Sequence, residues 1–180
     1  MSSLLKANSI SAATGTTVTI PSGTTLDIAS GATIANSGTA TGFGKVLQVV
    51  QGTYDTMVTT TSTTYVSSGL QASITPSSTS NKILVITHVA GFRGIPSGGG
   101  NPSGGGIALY RGGASIIDKG SLNYSEAYGL ITDAIINYID SPNSTSSLNY
   151  EIYFKNISGG SQRCQDAGYL SSIILMEIAA

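Results

Sequence analysis

Residues 82–92 read KILVITHVAGF, and this run is apolar on both faces of an extended chain. Such a run is typical of a strand that lies at the centre of a sheet and is covered on both sides. Residues 148–155, LNYEIYFK, instead alternate strictly between two faces. The first of these faces carries Leu148, Tyr150, Ile152 and Phe154. The alternation predicts a strand with one side towards a core, and the two segments together favour a β-sandwich.

Short segments of the same extended type recur between turn signals from Gly44 to Ala180. They are 45–51, 56–66, 69–75, 107–111, 114–118, 127–139 and 171–178. Because none has the 3.6-residue periodicity of a helix, we predict an all-β knob domain over 44–180, built as a jelly-roll-like β-sandwich. The two glycine triplets of 94–106 predict a loop. That loop contains no lysine and leads into a strand, so it does not fit a phosphate-binding loop.

The composition restricts the classes of function. The 180 residues include 8 basic and 9 acidic side chains, which gives a net charge of −1. Charged residues make up 9% of the chain, against about 25% in an ordinary soluble domain. With no basic tract, the chain offers nucleic acid few phosphate contacts. Because charge contributes little to its solubility, we expect it to protect its sheet edges by closure or oligomerisation.

No catalytic residue, cofactor or metal is predicted. One His and one Cys allow neither a His-pair nor a Cys-based metal site. We expect His88, on the central strand, to be structural, and Cys164 to be a buried or idle thiol. Asp133 and Asp140 are seven residues apart and fall on opposite faces of an extended segment, which disfavours a paired-carboxylate glycosidase.

Residues 15–42 contain a short imperfect repeat. Ser-Gly recurs at 22–23, 30–31 and 37–38, with alternating apolar residues between these turns. The apolar residues are Val18, Ile20, Leu26, Ile28 and Ile34. Because short strands with one narrow apolar face cannot bury it alone, we predict an intertwined β shaft over 15–43 with these residues on a threefold axis. A flexible Ser/Thr/Gly linker is the alternative. The uncharged run from Ala7 to Leu26 has about the length of a membrane span, but it is too polar for one.

Several segments, in their order along the chain, closely resemble tail-fibre and related virion proteins of tailed bacteriophages from aquatic bacteria. They are the leader with Leu4, Leu5 and Ile10, then VTIPSGTTLDIASGATIANSGTATGFGKVLQVV (18–50), ITPSS (74–78), KILV (82–85) and IILMEI (173–178). The resemblance covers nearly the whole chain, although each motif is low in complexity. It implies a homotrimeric virion appendage with an N-terminal attachment segment, a short β shaft, a distal knob and a role in host-surface recognition.

We therefore expect a non-enzymatic virion protein, located on the tail or the capsid surface, that acts as a short tail fibre or a receptor-binding fibre tip. Residues 1–14 are expected to attach it to another virion protein. Arg93, Tyr124 and Tyr128 are the candidates for contact with a host glycan or protein, since Arg and aromatic residues dominate contact energies. A trimeric capsid decoration, cement or head-fibre protein is the alternative, and a polysaccharide depolymerase is a third possibility.

Overall fold

The computed structural model describes residues 46–98, 102–125 and 130–180, and before them Ser22 and Thr25 alone. The chain divides into two units, Met1–Phe43 and Gly44–Ala180. The attachment segment 1–14 and the shaft residues Val18, Ile20, Leu26, Ile28 and Ile34 lie outside the described residues, and so does Tyr128. The predictions made for these residues, and for the domain boundaries, stay predictions.

The described residues of the second unit form eleven strands and one 3₁₀ turn, η1. The strands are β1 (Val46–Tyr54), β2 (Val58–Thr60), β3 (Val66–Ile74), β4 (Lys82–Ile95), β5 (Ser103–Arg111), β6 (Ala114–Ser125), β7 (Ile131–Ala134), β8 (Asn137–Asp140), β9 (Leu148–Asn156), β10 (Ser161–Cys164) and β11 (Ser171–Ile178). The 3₁₀ turn covers Asp166–Gly168. The predicted all-β class is confirmed.

The strands form two antiparallel sheets, and the predicted β-sandwich is confirmed as well. The larger sheet has seven strands in the order β1-β11-β4-β10-β2, with β7 and β8 also paired to β4. The smaller sheet has four strands in the order β3-β9-β5-β6. The 14-residue strand β4 is central, because its first half pairs with β11 and β8 and its second half with β10 and β7.

The core lies between the two sheets. From the larger sheet, Val85 on β4 and Leu175 on β11 are fully buried. From the smaller sheet, the alternation predicted for 148–155 is confirmed, since Tyr150, Ile152 and Phe154 are fully buried and Leu148 is half-buried against them. Burial of this kind contributes about 1.5–3 kcal/mol for each large apolar side chain.

The expectation of a loop over 94–106 was wrong at both ends of the segment. Strand β4 continues to Ile95, and Ser103–Gly106 form the start of β5. The glycines of the second triplet, 104–106, are required because neighbouring groups pack closely against them, and not because the chain turns there. A Cβ on Gly105 would overlap the buried Gln162 side chain, and one on Gly106 would lie 2.7 Å from the carbonyl oxygen of Gly120.

Three further segments differ from the sequence interpretation. Of 56–66, only Val58–Thr60 and the first residue of β3 are strand. In the stretch predicted as 127–139, the residues described from 130 onward form two strands, β7 and β8, and not one. Between them the amide of Ile136 donates to Oγ of Thr87 at 2.9 Å, so a side chain replaces part of the ladder. Strand β10 was missed because its sequence, SQRC, has no apolar alternation.

Candidate functional site

The outward side of the larger sheet carries a continuous row of apolar side chains. Val49 on β1 lies opposite Met176 on β11, Met176 lies opposite Leu84 on β4, and Leu84 lies opposite Ile139 on β8. The row therefore crosses four neighbouring strands without a polar residue. Its two ends, Val49 and Ile139, are 57% and 58% exposed.

Neighbouring positions extend this row in both directions. We call the whole set the apolar outer face, and it comprises Val46, Val49, Leu84, Ile86, Ile139, Ile174, Met176 and Ile178. Strand β11 shows how the face arises, since Ile173 and Leu175 point to the core while Ile174 and Met176 point outward. A strand with apolar residues on both sides is expected where both sides are covered.

The outward side of the smaller sheet has the opposite character. Strand β9 presents Glu151, Tyr153 and Lys155 there. The Tyr153 ring stacks on Tyr110 with 4.0 Å between centroids, and Nζ of Lys155 lies 4.3 Å from the centroid of the Tyr65 ring. This side has the polar and amphipathic residues of a surface that faces water. The sandwich therefore has one outer side suited to water and one suited to a partner.

A shallow hollow of about 470 Å³ lies on the larger sheet, on the second half of β4. Its lining comprises His88, Ala90, Gly91, Ile131, Asp133, Tyr169 and Leu170. Nε2 of His88 lies 3.1 Å from Oδ2 of Asp133, and both side chains are about half exposed. Tyr169 and Leu170 are 53% and 59% exposed. The hollow thus combines an exposed aromatic ring, a carboxylate and an imidazole.

The segment that carries Tyr169 is held by backbone geometry. Gln165 and Ala167 have φ of 53° and 58°. The backbone N–H of Gln165 donates to the carbonyl oxygen of Ala90 at 3.0 Å. Gly91 has φ of 60°, and a Cβ there would lie 2.7 Å from the amide nitrogen of Asp166 and 3.1 Å from the Tyr169 ring. Glycine is therefore required at position 91. The sequence interpretation missed Tyr169 because 161–170 has no apolar periodicity.

The predicted host-contact residue Arg93 lies on β4 and is bound within the molecule. Its Nη1 is 2.8 Å from Oδ2 of Asp166, and Nη1 of Arg163 is 3.1 Å from Oδ1 of the same carboxylate. Burial raises the pKa of Asp166, but the hydrogen bonds from the two guanidinium groups outweigh it and lower that pKa. Arg93 therefore anchors the 3₁₀ turn beside the hollow. Whether it also contacts a receptor stays a prediction.

Of the other predicted contact residues, Tyr128 lies outside the described residues. Tyr124 follows Asn123, whose Nδ2 donates to the carbonyl oxygen of Phe92 at 3.3 Å, so the segments that carry Tyr124 and Arg93 are adjacent. Tyr124 lies on β6 and is 55% exposed. His88 lies on the side of β4 that faces outward. Its partner there is Asp133, which is also at the surface. Asp140 is buried and binds Arg111 and Tyr150. The two aspartates therefore do lie on opposite sides of the sheet.

Cys164 is fully buried, as predicted, and burial raises the pKa of its thiol. Within the ranges 46–98, 102–125 and 130–180, no group of three His, Cys, Asp or Glu side chains could hold a metal ion. Among the same residues no helix is long and apolar enough to cross a membrane.

No protein-family model matches the chain, and no curated protein matches it. Among solved structures, the chain is similar to part of a chain from the Gx strain of infectious bursal disease virus, with 12% identity and a TM-score of 0.38 over 75% of this chain and 33% of that one. It is also similar to a chain of the VP2 subviral particle of the same virus, with 13% identity and a TM-score of 0.33 over 74% and 37%. This chain thus spans about a third of the length of the chains it matches.

Proposed function

We propose that the chain is a non-enzymatic structural protein of a virion, a homotrimeric short tail fibre or fibre tip that attaches the particle to a host surface. The observation that supports this proposal is the apolar outer face. Exposed, contiguous apolar surface on a soluble protein marks a site of association. A chain in which only 9% of residues are charged fits a component whose solubility depends on assembly.

The parts of the chain have separate roles in this proposal. Residues 1–14, with Leu4, Leu5 and Ile10, bind another virion protein. The repeat of 15–43 forms the shaft, because its alternating apolar residues need other copies in order to be buried. The sandwich is the distal knob, and it presents the surface that meets the host.

The hollow formed by His88, Asp133 and Tyr169 is the best-supported host contact on the sandwich. An exposed aromatic ring supplies a large apolar plane, and a carboxylate accepts hydrogen bonds from hydroxyl groups. Together they fit a saccharide ring, which has apolar C–H faces and hydroxyls at its rim. The predicted contacts Arg93, Tyr124 and Tyr128 remain further candidates for a glycan or protein receptor.

Two experiments test the proposal. Purified protein added before infection is expected to reduce adsorption of the virus to its host, and an equal concentration of an unrelated β-sandwich protein serves as the control. An antibody against the sandwich is expected to label the tail in electron micrographs of intact virions. Label on the head alone would instead favour the alternative, a capsid decoration, cement or head-fibre protein. Absence of label from the virion would overturn both.

A polysaccharide depolymerase remains a separate hypothesis, to which no particular contact in the described residues points. It is tested by incubating the purified protein with host polysaccharide and measuring new reducing ends. Release of reducing ends would contradict the non-enzymatic proposal.

A further inference from the structure

The apolar outer face lies on one half of the larger sheet. The exposed polar residues Gln51 and Asn137 border it, at the two ends of the row through Ile174 and Ile86. On the outward side of β1, β11, β8 and the first half of β4, Lys82 lies at one end of the face. The His88–Asp133 pair and Arg93 lie beyond the other end, on the second half of β4. Glu177 and Asp140, the acidic residues of these strands, are buried on the other side. A partner for this face must therefore be apolar and needs no complementary charge.

The size of the face is that of a real interface. With its ends about half exposed and its middle partly covered, it offers on the order of 500 Å² of apolar area, close to the apolar share of the ~800 Å² that each partner contributes to a standard interface. Scattered exposed apolar residues need no explanation. A cross-strand row that runs from Val49 to Ile139 is contiguous, and contiguity is what distinguishes an interface.

The position of β1 indicates which partner covers the face. Val46 and Val49 lie on the face, and Val46 follows the first unit, which ends at Phe43, by three residues. The repeat in that unit itself needs other copies of the chain, as the preceding proposal holds. In copies that associate through 15–43, the short connection from Phe43 to Val46 would keep the first residues of their β1 strands within reach of one another. A second copy is therefore the partner that this inference assigns to the face.

We propose that the apolar outer face, formed by β1, β11, β4 and β8, is the surface through which the sandwiches of separate copies of this chain pack against one another. The partner is a second copy and not a shell protein or the host. This inference rests on the proposed homotrimer, but it assigns the sandwich its own contact in addition to the shaft. It leaves the outward side of the smaller sheet, with Tyr110 and Tyr153, in water.

The lone cysteine makes a direct test possible. Cys164 is fully buried, so a cysteine introduced by Ile139→Cys or Val49→Cys is the reactive thiol of the folded chain. The control is Leu122→Cys, on β6 of the smaller sheet, where the side chain is 41% exposed. In purified full-length protein we expect a maleimide to label the two face variants at least about tenfold more slowly than the control. After unfolding, all three are expected to react at one rate.

A short bifunctional maleimide then identifies the partner. Cross-linked species of two or three chains from Ile139→Cys, and none from Leu122→Cys, support packing between copies. Equal labelling of the face and control cysteines overturns the proposal. Slow labelling in a particle whose mass is that of one chain also overturns it, since the cover is then part of the same chain. Labelling of virions does not enter this test, so the virion role can fail while the interface stands.

Discussion

Gln48 on β1 and Glu177 on β11 lie directly opposite each other, and Nε2 of Gln48 donates a hydrogen bond to Oε2 of Glu177 at 2.6 Å. The other oxygen of the carboxylate accepts bonds from the amide and hydroxyl of Ser77, both 2.7 Å, and from Asn81 at 2.6 Å. Glu177 is only 1% exposed. One buried carboxylate thus ties the edge strand β1 and the turn before β4 to β11.

Stability is predicted to fall in acid through Glu177. Burial raises its pKa, but the hydrogen bonds from Asn81, Gln48 and Ser77 outweigh burial and lower the pKa from 4.5 to about 2. Because the unfolded chain binds the proton more readily, the stabilisation is complete above pH 4.5 and is lost as the pH falls to about 2, on the order of 3 kcal/mol. Urea unfolding across this range measures it. In Glu177→Gln the free energy of unfolding is expected to change less with pH over this range. In the control Asp55→Asn, at an exposed residue, the wild-type pH dependence is expected to remain.

Removing the buried carboxylate of Asp140 is predicted to lower the free energy of unfolding more than removing one of its two hydrogen-bond donors. It accepts from Nη1 of Arg111 and from the Tyr150 hydroxyl at 2.6 Å. Asp140→Ala leaves both donors without an acceptor and is expected to cost about 3 kcal/mol of unfolding free energy. Tyr150→Phe removes one bond and is expected to cost about 1 kcal/mol. Equal losses in denaturant titrations would contradict this ranking.

Gly105→Ala is predicted to destabilise the sandwich by about 1–3 kcal/mol, because the new methyl group overlaps the buried Gln162 side chain. The matched comparison is Gly105→Ala combined with Gln162→Ala, which removes the obstructing side chain. Thermal unfolding of the two variants and of Gln162→Ala alone gives the coupling between the sites. If the two losses simply add, the glycine is not required by this contact.

Tyr169→Ala is predicted to weaken inhibition of virus adsorption by about tenfold, since a large exposed aromatic side chain supplies much of the contact energy of a binding site. Tyr124→Ala is the matched comparison, because Tyr169 and Tyr124 are 53% and 55% exposed and Tyr124 is the competing candidate for the host contact. Circular dichroism checks that both variants fold. A larger loss from Tyr124→Ala would move the host contact from the hollow to β6.

Ile28→Asp is predicted to prevent assembly of the full-length chain, because it places unpaired carboxylates together on the proposed shaft axis. The matched control is Thr25→Asp, which the alternation puts on the opposite side of the same short segment. Light scattering measures the outcome. An oligomer that is as stable in Ile28→Asp as in Thr25→Asp removes Ile28 from the axis, and a wild-type particle of 18.2 kDa would overturn the trimer itself.

The sequence predicted best those strands whose burial alternates. The inward face of 148–155 and the strand 171–178 follow directly from residue spacing, because a period of two is the geometry of a strand. Local pattern carried no information on β10, which pairs with β4, or on the positive φ of Gln165, whose backbone amide bonds to Ala90 of β4. For the same reason Tyr169 was missed. The sequence shows that Ile174, Met176 and Leu84 are apolar. Only the pairing register of the strands shows that these residues lie together on one face.

The attachment of β1 has a mechanical consequence. Load carried along the backbone from residue 43 enters the sandwich at β1, which pairs with β11 over eight residue pairs. Antiparallel hydrogen bonds run perpendicular to the strands. A pull along β1 therefore shears the whole ladder at once, whereas a pull across the sheet peels the pairs apart one after another. The sandwich is thus expected to resist drag along one direction much better than along another.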